Sequence, residues 1–476
     1  MAKVSVLIEI EVTNNEAFGM FQEAVRSERE SVRQSETLLE RLTGLGVELD
    51  RDPIPVPMFV ATTPDAPVPP EFEAFPSPET NPDLPSSTVV VPARVEVSDL
   101  EVVSAPAGVH VWPNSELTMF GHWDPALREI REVVNERTAL ADAPGAPAGL
   151  DCRPFRPGVE IHVIRQLLGV SVLWDHGIRG EGVIVGIIDE GIDGTVYSVV
   201  GGFSRPGTQA PGTAPVTSHG SMCAADVLVA APDARLYDYP FLGIPSSGGA
   251  LAMFQAVLDQ RRMDGTPHLT SNSYGFVGVP PRDQLPTHEI WDLGHPLHRK
   301  VREVIASGAP AFFAAGNCGK DCPSGACQPS GIGPGTSIHA SNSLEEVITI
   351  AAVNSRHERI GYSSQGPGMF ATDKPDLSAY SHLFANFGPG RPGGETEAPF
   401  DNGTSAATPV AAGVAALLVC GWPQVTPAQL RDALVEGATG DGSGWSADFG
   451  RGVVNAAAAF AALSGVLGPP RTVGPR

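Results

Sequence analysis

The chain has 476 residues, 42% of them hydrophobic, and a formal net charge of -23 at pH 7. That charge, 54 acidic against 31 basic side chains, excludes nucleic acid and anionic membrane surfaces as main partners, because both would repel it. The length accommodates two or three domains, one of them a large α/β unit with a substantial core.

The N-terminus places apolar side chains at every second position, Val4, Val6, Ile8, Ile10 and Val12, which predicts a half-exposed strand in which Leu7 blurs the alternation. Glu9 and Glu11 interrupt the run, so it does not serve as a secretion signal. No stretch reads as long and apolar enough to span a bilayer, and a cytoplasmic placement with no membrane partner follows as the expectation. A helix is predicted from the cap at Asn14 or Asn15 to about Leu42, with Gly44 as its stop. Thr63–Pro85, rich in Pro and acids and free of Lys and Arg, reads as an insertion without fixed structure. Strands at Ser87–Val97 and Val109–Trp112, with a short helical piece between them, complete a βαββαβ-like pattern over residues 1–113. Residues 114–150 read as a connection, with one helix at Asp124–Thr138 and then Ala-Asp-Ala-Pro-Gly-Ala-Pro-Ala-Gly.

Beyond residue 150 the pattern changes to buried strands alternating with helices. Val183–Ile188, Ala309–Ala315 and Val347–Val353 are continuously apolar, as central parallel strands covered on both faces are. Leu251–Met263 and Leu297–Ser307 read as helices. Thr426-Pro427-Ala428-Gln429 combines a capping box with Pro at the first helical position. Val453–Leu467 is Ala-rich and suits a buried terminal helix, with a tail at 466–476. This alternation predicts a doubly wound, mostly parallel α/β domain over residues 151–465, preceded by a small α+β domain.

Four short segments carry chemistry. Asp189 ends the Val183–Ile188 strand, where open parallel sheets place functional groups. His219 opens an apolar helix in Ser218-His219-Gly220-Ser221-Met222-Cys223-Ala224-Ala225. Asn317 ends the buried strand Phe312-Phe313-Ala314-Ala315-Gly316 with a side-chain amide. Ser405 lies among small residues in Asp401-Asn402-Gly403-Thr404-Ser405-Ala406-Ala407-Thr408-Pro409, before a long apolar helix. There the helix N-terminus supplies N–H groups and positive potential to a developing oxyanion. Taken singly each is an ordinary turn or capping residue; it is their order, Asp, His, Asn-ended strand, Ser, that points to acyl transfer.

The same segments resemble the subtilase superfamily. Val185–Asp193 is similar to its Asp box, His219–Ala225 to its His box and Gly403–Pro409 to its Ser box. Ser271-Asn272-Ser273-Tyr274-Gly275 resembles the strand lining its substrate cleft. Tyr362-Ser363-Ser364-Gln365-Gly366, Lys374-Pro375-Asp376-Leu377 and Phe449–Ala456 resemble further landmarks, so the likeness covers residues 155–465. Glu190, Met222 and Ala225 depart from the usual pattern at positions that bear on subsite shape. The resemblance implies a subtilisin-like serine endopeptidase acting on peptide or protein substrates. It implies Asp189, His219 and Ser405 as catalytic triad, Asn317 as oxyanion donor and Ser273, Tyr274 and Gly275 as substrate-binding residues. It implies no cofactor for the chemistry and no metal at the site, and leaves a structural calcium open. The N-terminal domain resembles the ferredoxin-like inhibitory propeptides of the family, which makes it an intramolecular partner. The alternative is a catalytically inactive subtilase-like binding module.

The six cysteines, Cys152, Cys223, Cys318, Cys322, Cys327 and Cys420, are too sparse for a disulfide scaffold. Three cluster just after Asn317, and three states compete there: free thiols, as a reducing cytosol gives; one local disulfide; or a zinc site with His339 as a further ligand. The expected role of the cluster is structural in each case.

Overall fold

In the computed structural model the described residues are 3–12, 42–44, 47–49, 55–58, 87–106, 108–120, 150–151, 158–205, 207–241, 245–394, 398–440 and 444–471. The N-terminal sheet contains β1 (Lys3–Val12), β2 (Glu48–Leu49), β3 (Val56–Met58), β4 (Ser87–Glu96) and β5 (Val109–Pro113). Its order is β2-β4-β1-β5, all antiparallel, with β3 also on β4. That is the ferredoxin-like order the βαββαβ pattern predicts. Of the expected first helix only 42–44 are described, and Thr63–Pro85 and Asp124–Thr138 lie outside the described residues. The second helical piece is a short turn and α1 (Leu100–Ser104).

The expectation that β1 is half-exposed fails. Val6, Ile8, Ile10 and Val12 fill the small domain's own core, while Leu7 packs into a second cluster shared with the large domain and Glu9 is buried as well. Both faces are covered because the sheet lies on helices α5 (Ser247–Asp264) and α6 (Pro296–Ala306) of the large domain. Glu9 accepts from the Thr88 hydroxyl, from Trp112 Nε1 at 2.8 Å and from Arg299 at 2.6 Å. Those three bonds hold it ionised, its carboxyl below the usual range despite burial, which by itself pushes the other way.

After β5, Asn114–Phe120 is ordered rather than a free connection. It carries β6 (Thr118–Met119). The large sheet has the order β10-β11-β9-β12-β14-β15-β16-β7, with β17 also on β15. These strands are β7 (Leu150–Asp151), β9 (Ile184–Asp189), β10 (Val199–Gly202), β11 (Arg235–Pro240), β12 (Leu269–Asn272), β14 (Ala311–Ala314), β15 (Ile348–Val353), β16 (Arg359–Ile360) and β17 (Leu377–Tyr380). All neighbours are parallel except β15 and β16. Two small pairs lie apart: β8 (Val159–Glu160) with β18 (Leu383–Phe384), and β13 (Tyr274–Gly275) with β6. From β9 the chain runs to the edge strand β10, comes back to β11 beside β9, and then crosses to β12 on the other side of β9. The crevice at this reversal, at the carboxyl ends of the strands, is where such sheets bind ligands.

The remaining helices are α2 (Ile161–Leu168), α3 (Ser171–Asp175), α4 (His219–Ala230), α7 (Thr404–Gly421), α8 (Pro427–Glu436) and α9 (Ala456–Leu467). The capping box at Thr426 and Gln429, with Pro427 at the helix start, forms as expected. One sequence expectation is corrected by α7: by length and hydropathy it suffices to cross a membrane, yet its whole length is buried. It is the central core helix, and each of its buried Val and Leu side chains contributes about 1.5–3 kcal/mol.

The cysteine cluster resolves as a disulfide between Cys318 and Cys327, and Cys322 is disulfide-bonded too. No thiolate set is left there for zinc, and His339 is instead buried against the Phe276 ring. Cys223 and Cys420 are free and buried. The Cys318–Cys327 loop is tied to its surroundings by Gly319 N–H to Tyr362 O at 2.7 Å and Cys318 N–H to Ser364 Oγ at 3.1 Å. Replacing Cys318 and Cys327 together by Ser is expected to lower unfolding free energy by about 2–3 kcal/mol, through the entropy of the short loop they close. Denaturant unfolding of the folded double variant checks this, and an unchanged midpoint contradicts it.

Candidate active site

The close approach of two helix starts builds the site. His219 is the first residue of α4, whose cap is Ser218, its hydroxyl accepting from Ser221 N–H at 3.1 Å. A side chain on Gly220 would meet the backbone of Gly191 at 2.4 Å, so only glycine lets α4 close onto the turn after β9. That contact brings the imidazole to Asp189, the last residue of β9, with His219 Nδ1 2.7 Å from Asp189 Oδ1. Asp189 Oδ1 also accepts from Glu190 N–H at 2.7 Å. With Nδ1–H donated to the carboxylate, His219 Nε2 is left bare as a base.

Ser405 is the second residue of α7 and fully buried. The residue before the helix, Gly403, has φ +83° and ψ 171°, a conformation open essentially to glycine alone. Pro409 lies inside α7 and has no N–H for the Ser405 carbonyl, the acceptor one helical turn before it. That carbonyl accepts instead from Cys223 Sγ at 3.5 Å and Ser273 Oγ at 3.4 Å, which ties α7 to α4 and to the cleft strand. His219 Nε2 and Ser405 Oγ are both buried with no hydrogen-bond partner.

Asn317 follows β14 with its side chain turned to the same place. Its Oδ1 accepts from Thr404 N–H and the Thr404 hydroxyl, each at 2.9 Å. That pair of donors fixes which end of the amide is which, and Nδ2 donates to the carbonyl of Phe120. The Phe120 segment is the feature sequence reading missed. β6 pairs antiparallel with β13, Met119 opposite Tyr274 and Thr118 opposite Gly275. Phe120 N–H donates to Ser273 O at 2.9 Å, and Leu117 N–H to Pro245 O at 2.6 Å on the opposite wall. The predicted residues Ser273, Tyr274 and Gly275 thus flank an extended segment of the chain itself. A side chain on Gly275 would meet the Phe120 ring at 2.6 Å, so glycine there makes room for the ring. Leu117 sits among Phe254, Tyr274, Phe276, Leu297 and Phe313. The signal in the sequence was Leu117-Thr118-Met119-Phe120, three apolar side chains in four residues close after β5.

Burial lowers the pKa of His219, but the charge of Asp189, its hydrogen bond and the charge of Glu190 outweigh burial, so the net shift is upward. Glu190, one of the departures from the family pattern, also accepts from His219 N–H at 3.1 Å. Burial, reinforced by Asp189 and Asp226, pushes the Cys223 thiol well up and keeps it protonated. Asp189, His219 and Cys223 are the one group of three potential metal-ligating side chains clustered among the described residues. That mixed set does not match the all-oxygen shell calcium takes, and no calcium position is assigned to it.

With this geometry in place, the comparisons define the class: residues 180–452 match the Subtilase family, and the chain belongs to it. It is a serine endopeptidase whose family chemistry needs no cofactor. The chain is 29% identical over 299 residues to subtilisin DY of Bacillus licheniformis, covering 60% of this chain and 92% of that protein. It is 25% identical over 324 residues to the Aeromonas extracellular serine protease of Aeromonas sobria, covering 57% of this chain and 50% of that one. The crystal structure of fervidolysin from Fervidobacterium pennivorans, a keratinolytic enzyme related to subtilisin, shares the fold at a TM-score of 0.56 and 18% identity. It covers 96% of this chain but 61% of that chain, less than two thirds of its length. These relatives overturn the cytoplasmic placement expected from the sequence, since one is by name extracellular, and the Cys318–Cys327 disulfide suits an oxidising compartment.

Because Glu190 raises the His219 pKa, Glu190→Gln is expected to lower the imidazole titration midpoint while leaving it above that of an Asp189→Asn,Glu190→Gln protein. NMR titration of the His219 ring checks the order, and an unmoved midpoint in Glu190→Gln contradicts it.

Proposed function

We propose that Asp189, His219 and Ser405 are the catalytic triad, with Asn317 as oxyanion donor, and that the N-terminal domain is an intramolecular inhibitor whose Phe120 carbonyl occupies the place of a scissile carbonyl. The observation that carries this reading is the Asn317 Nδ2 bond to Phe120 O on a strand paired with β13. Ser405 Oγ attacks the carbonyl carbon and its proton passes to His219 Nε2. Asp189 holds the imidazole tautomer and stabilises the charged ring. The oxyanion is held by the Asn317 amide, aligned in advance by Thr404, and by the Ser405 N–H at the start of α7, so the donors need no rearrangement as charge develops. The His219 proton then goes to the leaving amine, and water, deprotonated by His219, releases the acyl group and restores Ser405.

The domain organisation follows. Residues 1–113 are the inhibitory domain, 114–120 its arm in the cleft, and 151–465 the peptidase. Docking rests on the Glu9–Arg299 pair at 2.6 Å, on Lys300 Nζ to Pro57 O at 2.8 Å, and on Asn114 Oδ1, which accepts from Gly248 N–H in the first turn of α5 at 2.8 Å. Ser115 Oγ donates to Glu289 Oε2 at 2.8 Å, and Glu289 also takes the Ser247 hydroxyl.

An enzyme held in this way cleaves its own chain after Phe120. The wild-type chain is expected to yield a product whose first residue is Gly121, while Ser405→Ala stays intact with its fold unchanged. Intact mass and N-terminal sequencing check this. Cleavage that persists in pure Ser405→Ala overturns the nucleophile assignment, and Ser405-dependent cleavage confined to other bonds overturns the role of the arm.

A further inference from the structure

We propose that Tyr362 is a positioning residue for the nucleophile, acting through Gly403 with His382 and Ser381 beside its hydroxyl; the inference rests on the assignment of Ser405 and Asn317 above. The Tyr362 hydroxyl accepts from Gly403 N–H at 2.8 Å. The same hydroxyl lies 3.1 Å from His382 Nε2 and 3.3 Å from Ser381 Oγ, within hydrogen-bond reach of both. His382 Nδ1 lies 3.6 Å from Asp151 Oδ2, close but without a hydrogen bond. Asp151 Oδ2 is held by Asn354 Nδ2 at 3.0 Å. All of these side chains are buried.

On the other side of the same glycine, Ser381 Oγ donates to Gly403 O at 2.9 Å. Both hydrogen-bonding groups of Gly403 are thus pinned by side chains from the β16 and β17 ends. Gly403 O also accepts from Ala406 N–H at 3.2 Å, but the φ of +83° and ψ of 171° lie outside the helical region, so the N–H side of the residue is held by Tyr362. The next residue, Thr404, gives its N–H and hydroxyl to Asn317 Oδ1, and the one after is Ser405. A shift of the Gly403 peptide moves the oxyanion amide and the nucleophile together, and displacements of about 1 Å in such groups cost on the order of 100-fold in rate. His382 adopts φ +60°, so its placement is itself imposed by the fold.

The test measures kcat and KM on a Leu-Thr-Met-Phe p-nitroanilide with the processed enzyme, dividing by the active sites titrated with a fluorophosphonate. Tyr362→Phe is expected to lower kcat per titrated site about tenfold, the worth of one hydrogen bond, with KM unchanged within about twofold. His382→Asn, whose side chain tolerates the left-handed backbone, is expected to lower kcat less. The double variant is expected to match Tyr362→Phe alone, since both act through one hydroxyl. A purely structural role reduces the fraction of titratable sites or the Tm and leaves kcat per site at the wild-type value; that result, or additive losses in the double variant, overturns the proposal. If Tyr362→Phe does not fold, the kcat-to-KM split in His382→Asn decides alone, and a wild-type kcat per site there overturns it. A wild-type chain that hydrolyses the peptide but does not titrate at Ser405 overturns the nucleophile assignment and this inference with it.

Discussion

The close packing of α4 against α7 is the contact on which the site depends. Gly413 of α7 sits where a side chain would meet Val227 O of α4 at 2.3 Å, so the two backbones touch at a spacing larger residues forbid. His219 opens one helix and Ser405 is the second residue of the other, so the packing of the two sets where both side chains lie. The missing N–H of Pro409 then frees the Ser405 carbonyl for Cys223 and Ser273. What looks like a run of small apolar residues after Ser405 is therefore what lets α7 approach α4 so closely. His219 Nε2 and Ser405 Oγ are both left buried without a hydrogen-bond partner.

Burying polar groups costs free energy unless they are partnered, and the N-terminal domain meets that condition across its interface with the peptidase. Glu9 and Arg299 come from different domains, as do Ser115 and Glu289, and Lys300 and Pro57. His288 and His295 lie within 3.3 Å and 3.5 Å of Glu289, and burial keeps both rings less basic than usual despite that carboxylate. Such an interface is specific because its buried charges are met by several partners at fixed positions, while Leu7 and Leu117 supply apolar contact that any sequence of similar shape supplies. Antiparallel pairing of β6 with β13 and the apolar contacts of Phe120 at Gly275 and of Leu117 hold Asn114–Phe120 in place.

Much of this was legible in the sequence, for particular reasons. Strands covered on both faces must be apolar throughout, so Val183–Ile188 announced β9 and, with it, the position of Asp189. The small residues around His219 and Ser405 announced close backbone approach. Chain order joined residues that local pattern left ordinary. What stayed hidden depended on contacts between distant segments. Glu9 reads as the exposed side of an alternating strand, and nothing near it foretells Arg299, 290 positions along. The Gly- and Pro-rich part of the connection lies outside the described residues, whereas Leu117 and Phe120 are held by pockets that exist only once β13 and β14 are placed. Tyr362 belongs to a recognisable segment, but its hydroxyl acquires meaning only beside Gly403, and the cysteine spacing left three states open until Cys318 and Cys327 met.

The central claim is that Ser405 is the activated nucleophile of this cleft. Its most direct measurement is reaction of the processed protein with a fluorophosphonate, followed by mass mapping of the modified peptide. The account predicts one adduct per chain, located on Ser405, with hydrolytic activity lost in step with labelling. A folded, processed protein that hydrolyses peptides while Ser405 remains unmodified, or that carries its adduct on another residue, contradicts it.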